Sequence, residues 1–165
     1  MLARSLLPLL LAAVTACAAH VPRAVAPGMP AQEVRERLGA PVAERQVPGH
    51  GAYWDYPREP YAYYRVLLSP DGRVREVRNL FTEENFRRIQ AGMTAGEVEA
   101  LAGIPSAYGR QKYANGTRSW TYRYHDLGIA KLQHVVFDRA DRVLWQYSEW
   151  DPAKYSKGDG DSGRR

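Results

Sequence analysis

The stretch GMTAGEV at positions 92–98, followed by GIP at 103–105, decides how this chain folds. The same arrangement occurs upstream as GMPAQEV at 28–34, followed by GAP at 39–41, so each shared residue recurs 64 positions later. Self-similarity at a fixed spacing is the sequence signature of a repeated structural unit. The chain of 165 residues is therefore predicted to contain two small modules that share a core.

Each copy of the motif predicts a short helix. Thr94 and Glu97 have the spacing of a capping box, in which a hydroxyl and a carboxylate satisfy free amides at a helix start. Gly103 lies where a helix commonly ends in a left-handed residue, and Pro105 prevents the helix from continuing. In the first copy Pro30 replaces the capping threonine and supplies only a preset first-turn φ. We therefore expect the first helix to begin less firmly.

The segments that follow each motif have the alternating, aromatic-rich pattern of β-strands. The tetrapeptides SPDG at 69–72 and ANGT at 114–117 are strong turn signals within these segments. The candidate strands are 52–56, 61–68 and 73–79 in the first copy, and 108–113, 118–124, 129–138 and 142–150 in the second.

The predicted fold class is α+β, with two tandem modules, each a helix plus a three-stranded antiparallel sheet, and with the helices packed on one sheet face. No helix is predicted before the first motif, because Pro22 and Pro27 occupy its place. The predicted organisation is a signal peptide at 1–16, a lipidated N-terminus and tether at 17–27, repeat 1 at 28–80, repeat 2 at 81–150 and a disordered tail at 151–165.

The excess of tyrosine and tryptophan has two interpretations. Core packing on the inner sheet face is favoured for Trp120, Tyr122, Tyr124, Trp145 and Tyr147. A partner-binding surface is instead predicted at Tyr61, Tyr63 and Arg65, which lie on the other face of their strand. Aromatic and arginine residues are enriched at the centres of protein interfaces, which is why these three are the candidates.

The N-terminal residues have the pattern of a secretory signal peptide. The apolar run Leu6 to Val14 is too short to cross a bilayer permanently, since crossing requires roughly 20 apolar residues. The tetrapeptide VTAC at 14–17 resembles a bacterial lipobox, and Cys17 is the single cysteine of the chain, so an internal disulfide is impossible. The resemblance implies that Cys17 carries acyl chains, and Ala18 in place of Asp implies transport to the outer membrane.

The charge and the chemistry-bearing residues argue against several function classes. A balance of 23 Lys and Arg against 18 Asp and Glu gives only +5, and the arginines are scattered among acids, so nucleic acid is not expected as a partner. The four histidines have no metal-ligand spacing, and we predict no metal, no cofactor and no enzyme. His125-Asp126 is the remaining candidate for a base and its orienting carboxylate, and it keeps catalysis open as a third interpretation.

A lipobox followed by this motif and an aromatic strand resembles the SmpA/OmlA (BamE-like) family of outer-membrane lipoproteins. The residues that carry the resemblance in the second copy are Gly92, Met93, Thr94, Glu97, Val98, Gly103 and Pro105, with Trp120, Tyr122 and Tyr124. Those in the first copy are Gly28, Met29, Glu33, Val34, Gly39 and Pro41, with Trp54 and Tyr56. The tandem pairing is also similar to that of the β-lactamase inhibitor proteins, in which two joined sheets form a concave binding surface.

The family resemblance implies a protein held on the periplasmic side of the outer membrane, in contact with barrel-assembly machinery proteins or anionic phospholipid. The expected function is that of a scaffold or accessory factor in cell-envelope and outer-membrane protein assembly. The alternative is a periplasmic protein inhibitor or ligand-binding module that uses a concave two-repeat sheet. A deep apolar pocket on the sheet favours ligand binding, whereas a flat face rich in Tyr and Arg favours protein docking.

Overall fold

The computed structural model describes residues 21–155. Within this range the strands form two four-stranded antiparallel sheets, with the orders β1-β2-β3-β4 and β5-β6-β7-β8. The helices are short: α1 (Val21–Ala24), α2 (Ala31–Leu38), α3 (Glu83–Arg87), α4 (Ala95–Ala102) and α5 (Pro152–Tyr155). The strands are β1 (Ala43–Val47), β2 (Gly51–Arg58), β3 (Ala62–Leu68), β4 (Val74–Asn79), β5 (Arg110–Lys112), β6 (Arg118–Asp126), β7 (Ile129–Phe137) and β8 (Val143–Trp150).

The predicted fold class of two helix plus three-stranded modules is wrong, because each sheet has a fourth strand at its edge. The segment that becomes β1 was not predicted to be a strand, since its sequence AERQV buries no side chain and shows no apolar alternation. It forms by backbone pairing with β2, from Ala43 opposite Asp55 to Val47 opposite Gly51. The edge strand β5 lies within the predicted segment 108–113, and its three residues are likewise exposed.

The first repeat has the leading helix that the prolines were expected to exclude. Pro22 is the second residue of α1, where the absence of an N–H costs nothing because the first helical amides have no intrahelical partner. Val21 and Val25 are almost completely buried in the first core. Residues 21–25 are therefore part of the fold, and not of a free tether. The predicted signal peptide and the lipidation at Cys17 lie outside the described residues.

The two repeats match in hydrogen bonding as well as in sequence. In both repeats, the amide of the first glycine of the motif donates a hydrogen bond to the carbonyl of the first residue of the last strand, at 2.7 Å. A core tyrosine hydroxyl donates to the carbonyl of the glycine after the second helix, at 3.2 Å in each repeat. The corresponding pairs are Gly28 with Val74 and Gly92 with Val143, then Tyr56 with Gly39 and Tyr122 with Gly103.

Each repeat has its own hydrophobic core, so the two modules do not share a single core as predicted. The first core joins α1 and α2 to one face of the first sheet, through Val21, Val34, Trp54, Tyr56 and Val66 among others. The second core joins α3 and α4 to one face of the second sheet, and it also takes in Tyr63 of β3. Trp120, Tyr122 and Tyr124 are all buried there, so the core assignment of these three aromatics is confirmed.

The capping box at the start of α4 is present as predicted. Thr94 Oγ1 accepts a hydrogen bond from the amide of Glu97 at 3.3 Å, and Glu97 Oε2 accepts one from the amide of Thr94 at 2.7 Å. Pro30 makes no such side-chain cap in the first repeat.

We expect Thr94→Ala to lower the free energy of unfolding by about 1 kcal/mol, because one amide at the start of α4 loses its acceptor. Urea denaturation followed by circular dichroism measures the change. Thr94→Ser keeps the hydroxyl and should retain most of the stability. Equal losses in the two variants would show that the hydroxyl does not cap the helix.

Buried tyrosines should make the protein sensitive to alkali. Burial raises the pKa of Tyr56 to about 12, with smaller and partly opposing contributions from nearby Arg35 and Glu44. Since the folded state holds this proton more tightly than the unfolded chain, stability is fully present below about pH 10 and is lost as the pH rises toward 12. Tyr56→Phe should weaken this dependence, measured as the free energy of unfolding against pH. Parallel curves for the two proteins would contradict the assignment.

Candidate functional site

Tyr63 and Arg65, two of the three predicted partner-binding residues, are buried. They are 2% and 8% exposed. Their side chains do lie on the face of β3 opposite Tyr64 and Val66, as the alternation predicted, but the end of α4 covers that face of the first sheet. The prediction that Tyr63 and Arg65 form an outward surface is therefore wrong.

Arg65 is the centre of a polar clamp between the repeats. It forms two parallel hydrogen bonds with the buried carboxylate of Asp55, at 2.7 and 2.8 Å, and its Nη1 donates to the carbonyl of Ala100 at 2.8 Å. The hydroxyl of Tyr63 donates to Asp55 at 3.2 Å. Burial raises the pKa of Tyr63, and the charge and hydrogen bond of Asp55 raise it further. These contacts join the first sheet to the C-terminal end of α4.

Tyr61 is partly exposed, and it contacts the C-terminal segment. Its hydroxyl donates to Asp151 Oδ2 at 3.1 Å, and its ring lies 4.2 Å from the ring of His125. Burial raises the pKa of Tyr61, and its hydrogen bond to Asp151 raises it further. Because Asp151 is fully buried and α5 follows it, residues 151–155 belong to the fold and not to a disordered tail. Partner binding through Tyr61 stays a prediction.

His125 and Asp126 do not form a catalytic pair. The His125 ring contacts the Tyr61 ring at an interplanar angle of 39°, whereas Asp126 Oδ2 accepts a hydrogen bond from Lys131 Nζ at 2.7 Å. Successive strand residues point to opposite sheet faces, which is the physical reason. Among residues 21–155, no group of three His, Cys, Asp or Glu side chains is arranged to hold a metal ion.

The second sheet presents a face on the side away from α3 and α4, and we call it the outer face. The strand register puts Thr121, His134 and Tyr147 in one cross-strand row and Ser119, Val136 and Trp145 in the next. Trp145 is 54% exposed and Tyr147 is 48% exposed. The two rings lie on neighbouring cross-strand rows of one face, and adjacent exposed apolar side chains of this kind mark interaction surfaces. The outer face is defined by Ser119, Thr121, Leu132, His134, Val136, Trp145 and Tyr147.

The assignment of Trp145 and Tyr147 to the core is wrong, and a β-bulge is the reason. Alternation along β8 predicted that Val143 and Trp145 share a face. The register shifts between Val136 and Phe137, so that Val143 pairs with buried Phe137 whereas Trp145 pairs with Val136. Residues before and after a bulge exchange faces. Sequence alternation alone could not reveal this surface.

His134 is held in a row of polar and aromatic groups on the outer face. Its Nδ1 lies 3.0 Å from Thr121 Oγ1, and its Nε2 lies 3.1 Å from Glu149 Oε1. The ring stacks on Tyr147 with centroids 4.6 Å apart and planes inclined by 18°. The order hydroxyl, imidazole, carboxylate is that of a hydrolytic triad, but the Glu149 side chain is 52% exposed, whereas the orienting carboxylate of such a triad is buried. We interpret the row as a support that fixes the Tyr147 ring.

A cleft of about 430 Å³ opens beside the outer face. One wall is the turn at Glu59 and Pro60 of the first repeat, and another is the segment 105–109 that follows α4. The cleft is also lined by five residues of the outer face, Ser119, Thr121, Leu132, His134 and Tyr147, and by Gln111 and Tyr113. The cleft mixes polar and aromatic groups, so it can hold a peptide segment or a polar ligand.

A second, basic pocket of about 390 Å³ lies at the edge strand β5. Arg110, Lys112, Arg118 and Trp120 line it. The guanidinium of Arg118 lies 5.0 Å from the centre of the Trp120 ring and pairs with Asp141 at 2.5 Å. Arg110 and Lys112 are exposed, so this edge presents positive charge to the solvent.

Comparisons with known proteins leave the family open. No protein family matches the chain, and no curated protein matches it. Among solved structures the chain is similar to a putative osmotically inducible lipoprotein, OsmE, with 26% identity over 41% of this chain and 70% of that chain, at a TM-score of 0.35. That TM-score is too low to establish a shared fold, and membership of the SmpA/OmlA family is not confirmed. Within residues 21–155, no helix is long and apolar enough to cross a membrane.

Proposed function

We propose that this protein is a lipid-anchored, non-enzymatic recognition factor of the bacterial envelope that binds a protein partner through the outer face of its second sheet. The observation that carries the proposal is the exposure of Trp145 and Tyr147 on that face, next to the 430 Å³ cleft that the described residues form. Aromatic anchors next to a pocket are typical of the centre of a protein interface. We place its role in envelope assembly, on the periplasmic side of the outer membrane.

The anchor in this proposal is Cys17. Acylation by more than one chain gives stable membrane attachment, because each buried CH₂ contributes about 0.8 kcal/mol. We expect Cys17→Ser to move nearly all of the protein from the membrane fraction to the soluble fraction, measured by cell fractionation and immunoblotting. Intact mass spectrometry of the wild-type protein should show acyl chains on residue 17. An unmodified Cys17, or a Cys17→Ser variant that stays in the membrane, would refute the anchor.

Site-specific photo-cross-linking in intact cells tests the recognition face. A photoreactive phenylalanine in place of Tyr147 should cross-link to one defined protein, because that ring is half exposed at the proposed contact. The matched control is the same replacement at Gln32, an exposed residue of α2 in the other repeat. Identical cross-linking at both positions, or none at Tyr147, would overturn the proposal.

The structure also bears on a lipid partner and on the alternative function. Anionic phospholipid is proposed at the basic pocket of β5, because Arg110 and Lys112 can approach lipid headgroups. Binding to phosphatidylglycerol vesicles should exceed binding to phosphatidylcholine vesicles, and R110E/K112E should abolish the difference. The 430 Å³ cleft is also the site that the alternative, an inhibitor or ligand-binding module, would use. That alternative would gain support if the protein purified with a small molecule in the cleft.

A further inference from the structure

The outer face of the second sheet has a structural counterpart within the same chain. In the first sheet, Asp55 pairs with Arg65 and Arg65 with Arg78 in one cross-strand row. In the second sheet, Thr121, His134 and Tyr147 form the equivalent row, at the same distance from the bulge in each sheet. The two faces therefore hold the same position in the repeated module, although their side chains differ.

The counterpart face is occupied, and its occupant is a helix end. The Arg65 side chain donates to the carbonyl of Ala100, one of the last carbonyls of α4, which have no acceptor role within the helix. A Cβ on Gly103, the residue after α4, would lie only 2.7 Å from the ring of Tyr63, so the chain there is in close contact with the sheet. Arg45 of β1 forms an ion pair with Glu99 of the same helix.

The helix α2 of the first repeat has polar and charged side chains where α4 has small ones. In α2 the residues equivalent to Gly96, Glu99 and Ala100 are Gln32, Arg35 and Glu36, and all three are exposed. Arg35 is already paired with Glu44 at 2.6 Å and lies over the Trp54 ring at 4.3 Å. Terminal units of repeat structures have a polar outer side of this kind. A second copy of this chain therefore has no small-residue helix end in α2 to offer to the outer face.

We infer that the outer face and its cleft receive the C-terminal end of a helix from the partner protein, as the first sheet receives the end of α4. This inference rests on the proposed function and names the structural class of its partner. Leu132 in the cleft occupies the place of Tyr63, the residue against which Gly103 packs. The partner helix carries small residues in its last turn and ends in glycine, so that its backbone approaches Leu132 as Gly103 approaches Tyr63. Its terminal carbonyls meet the polar groups of the cleft, next to Tyr147.

The probe that tests this inference is a synthetic peptide of residues 93–105, held helical by a side-chain bridge that leaves the positions of Ala100 and Gly103 free. In an NMR titration of the full chain, we expect amide shifts that cluster at Thr121, His134 and Tyr147. Tyr147→Ala should weaken binding roughly tenfold, as expected for an aromatic anchor. A control peptide with Gly103→Val should bind roughly tenfold more weakly than the probe.

A second variant keeps the test independent of folding defects. L132Y recreates on the outer face the ring against which Gly103 packs on the first sheet and leaves the His134–Tyr147 stack in place. It should tighten peptide binding roughly tenfold while the thermal unfolding midpoint stays close to wild type. Peptide shifts that fall elsewhere, or no shifts at millimolar peptide, would overturn the helix-end inference. If the peptide does not bind but Tyr147 still cross-links in cells, the helix-end inference fails and the proposed function stands. If there is neither peptide binding nor a Tyr147 cross-link, both proposals fail.

Discussion

Asp55→Ala is expected to lower the free energy of unfolding by about 3–5 kcal/mol, the largest loss that we predict for a polar residue of this protein. Asp55 is 1% exposed and accepts both hydrogen bonds of the Arg65 fork as well as one from Tyr63. Truncation leaves the guanidinium of Arg65 buried without a counter-charge. Breaking such a pair costs far more than the intact pair contributes, because the desolvation penalty of the remaining ion is no longer offset.

Chemical denaturation of wild-type and variant proteins measures this loss, and two controls make it specific. Glu76→Ala breaks the exposed ion pair with Arg78 and should cost at most about 1 kcal/mol. D55L/R65M replaces both buried charges with apolar side chains and should recover most of the stability. A loss below about 1 kcal/mol for Asp55→Ala would mean that water reaches the clamp, contrary to its burial.

Gly103→Ala should destabilise the protein by about 1–3 kcal/mol more than Gly39→Ala, although the two glycines occupy equivalent places after α4 and α2. Their backbone angles are nearly the same, with φ of 67° and 81° and ψ of −167° and −168°. This region is almost restricted to glycine, so both substitutions have a backbone cost of about 1–3 kcal/mol. A Cβ at 103 also meets the Tyr63 ring, whereas a Cβ at 39 has nothing within 4 Å.

The difference between the two variants isolates the packing cost at the junction of the repeats. Forcing an extra carbon into a close-packed site typically costs about 1–3 kcal/mol. Equilibrium unfolding in urea, with the same slope in all three proteins, gives the comparison. Equal losses for Gly39→Ala and Gly103→Ala would show that the end of α4 does not press on β3.

The repeat, the helix starts and the central strands could be predicted from the sequence because each leaves a local signal. Capping residues, terminating glycines and alternating aromatics are determined by neighbours a few positions away. The edge strand β1 could not be predicted in this way, since its exposed AERQV sequence is held by backbone pairing with β2. The short helix α1 is not predicted from the sequence because Pro22 and Pro27 indicate a break, although proline is well tolerated in a first helical turn.

The candidate site depended on information that a single sequence does not contain. Tyr63 and Arg65 lie on the predicted face of β3, but only the packing of α4 on that face shows that it is covered. Trp145 and Tyr147 are exposed because of one bulge in the strand register, which left no recognisable residue pattern. The row of Thr121, His134 and Tyr147 joins positions from three strands, so it became visible only when the strands were paired.

The hydrogen bond from Arg65 of the first sheet to the Ala100 carbonyl of α4 makes the two repeats depend on each other. In a fragment of residues 21–80 alone, the Asp55–Arg65 ion pair and the Tyr63 ring would be exposed to water, because α4 would no longer pack on the first sheet. A fragment that kept only the later half would lose Tyr63 from its core. We therefore expect neither half to fold stably without the other.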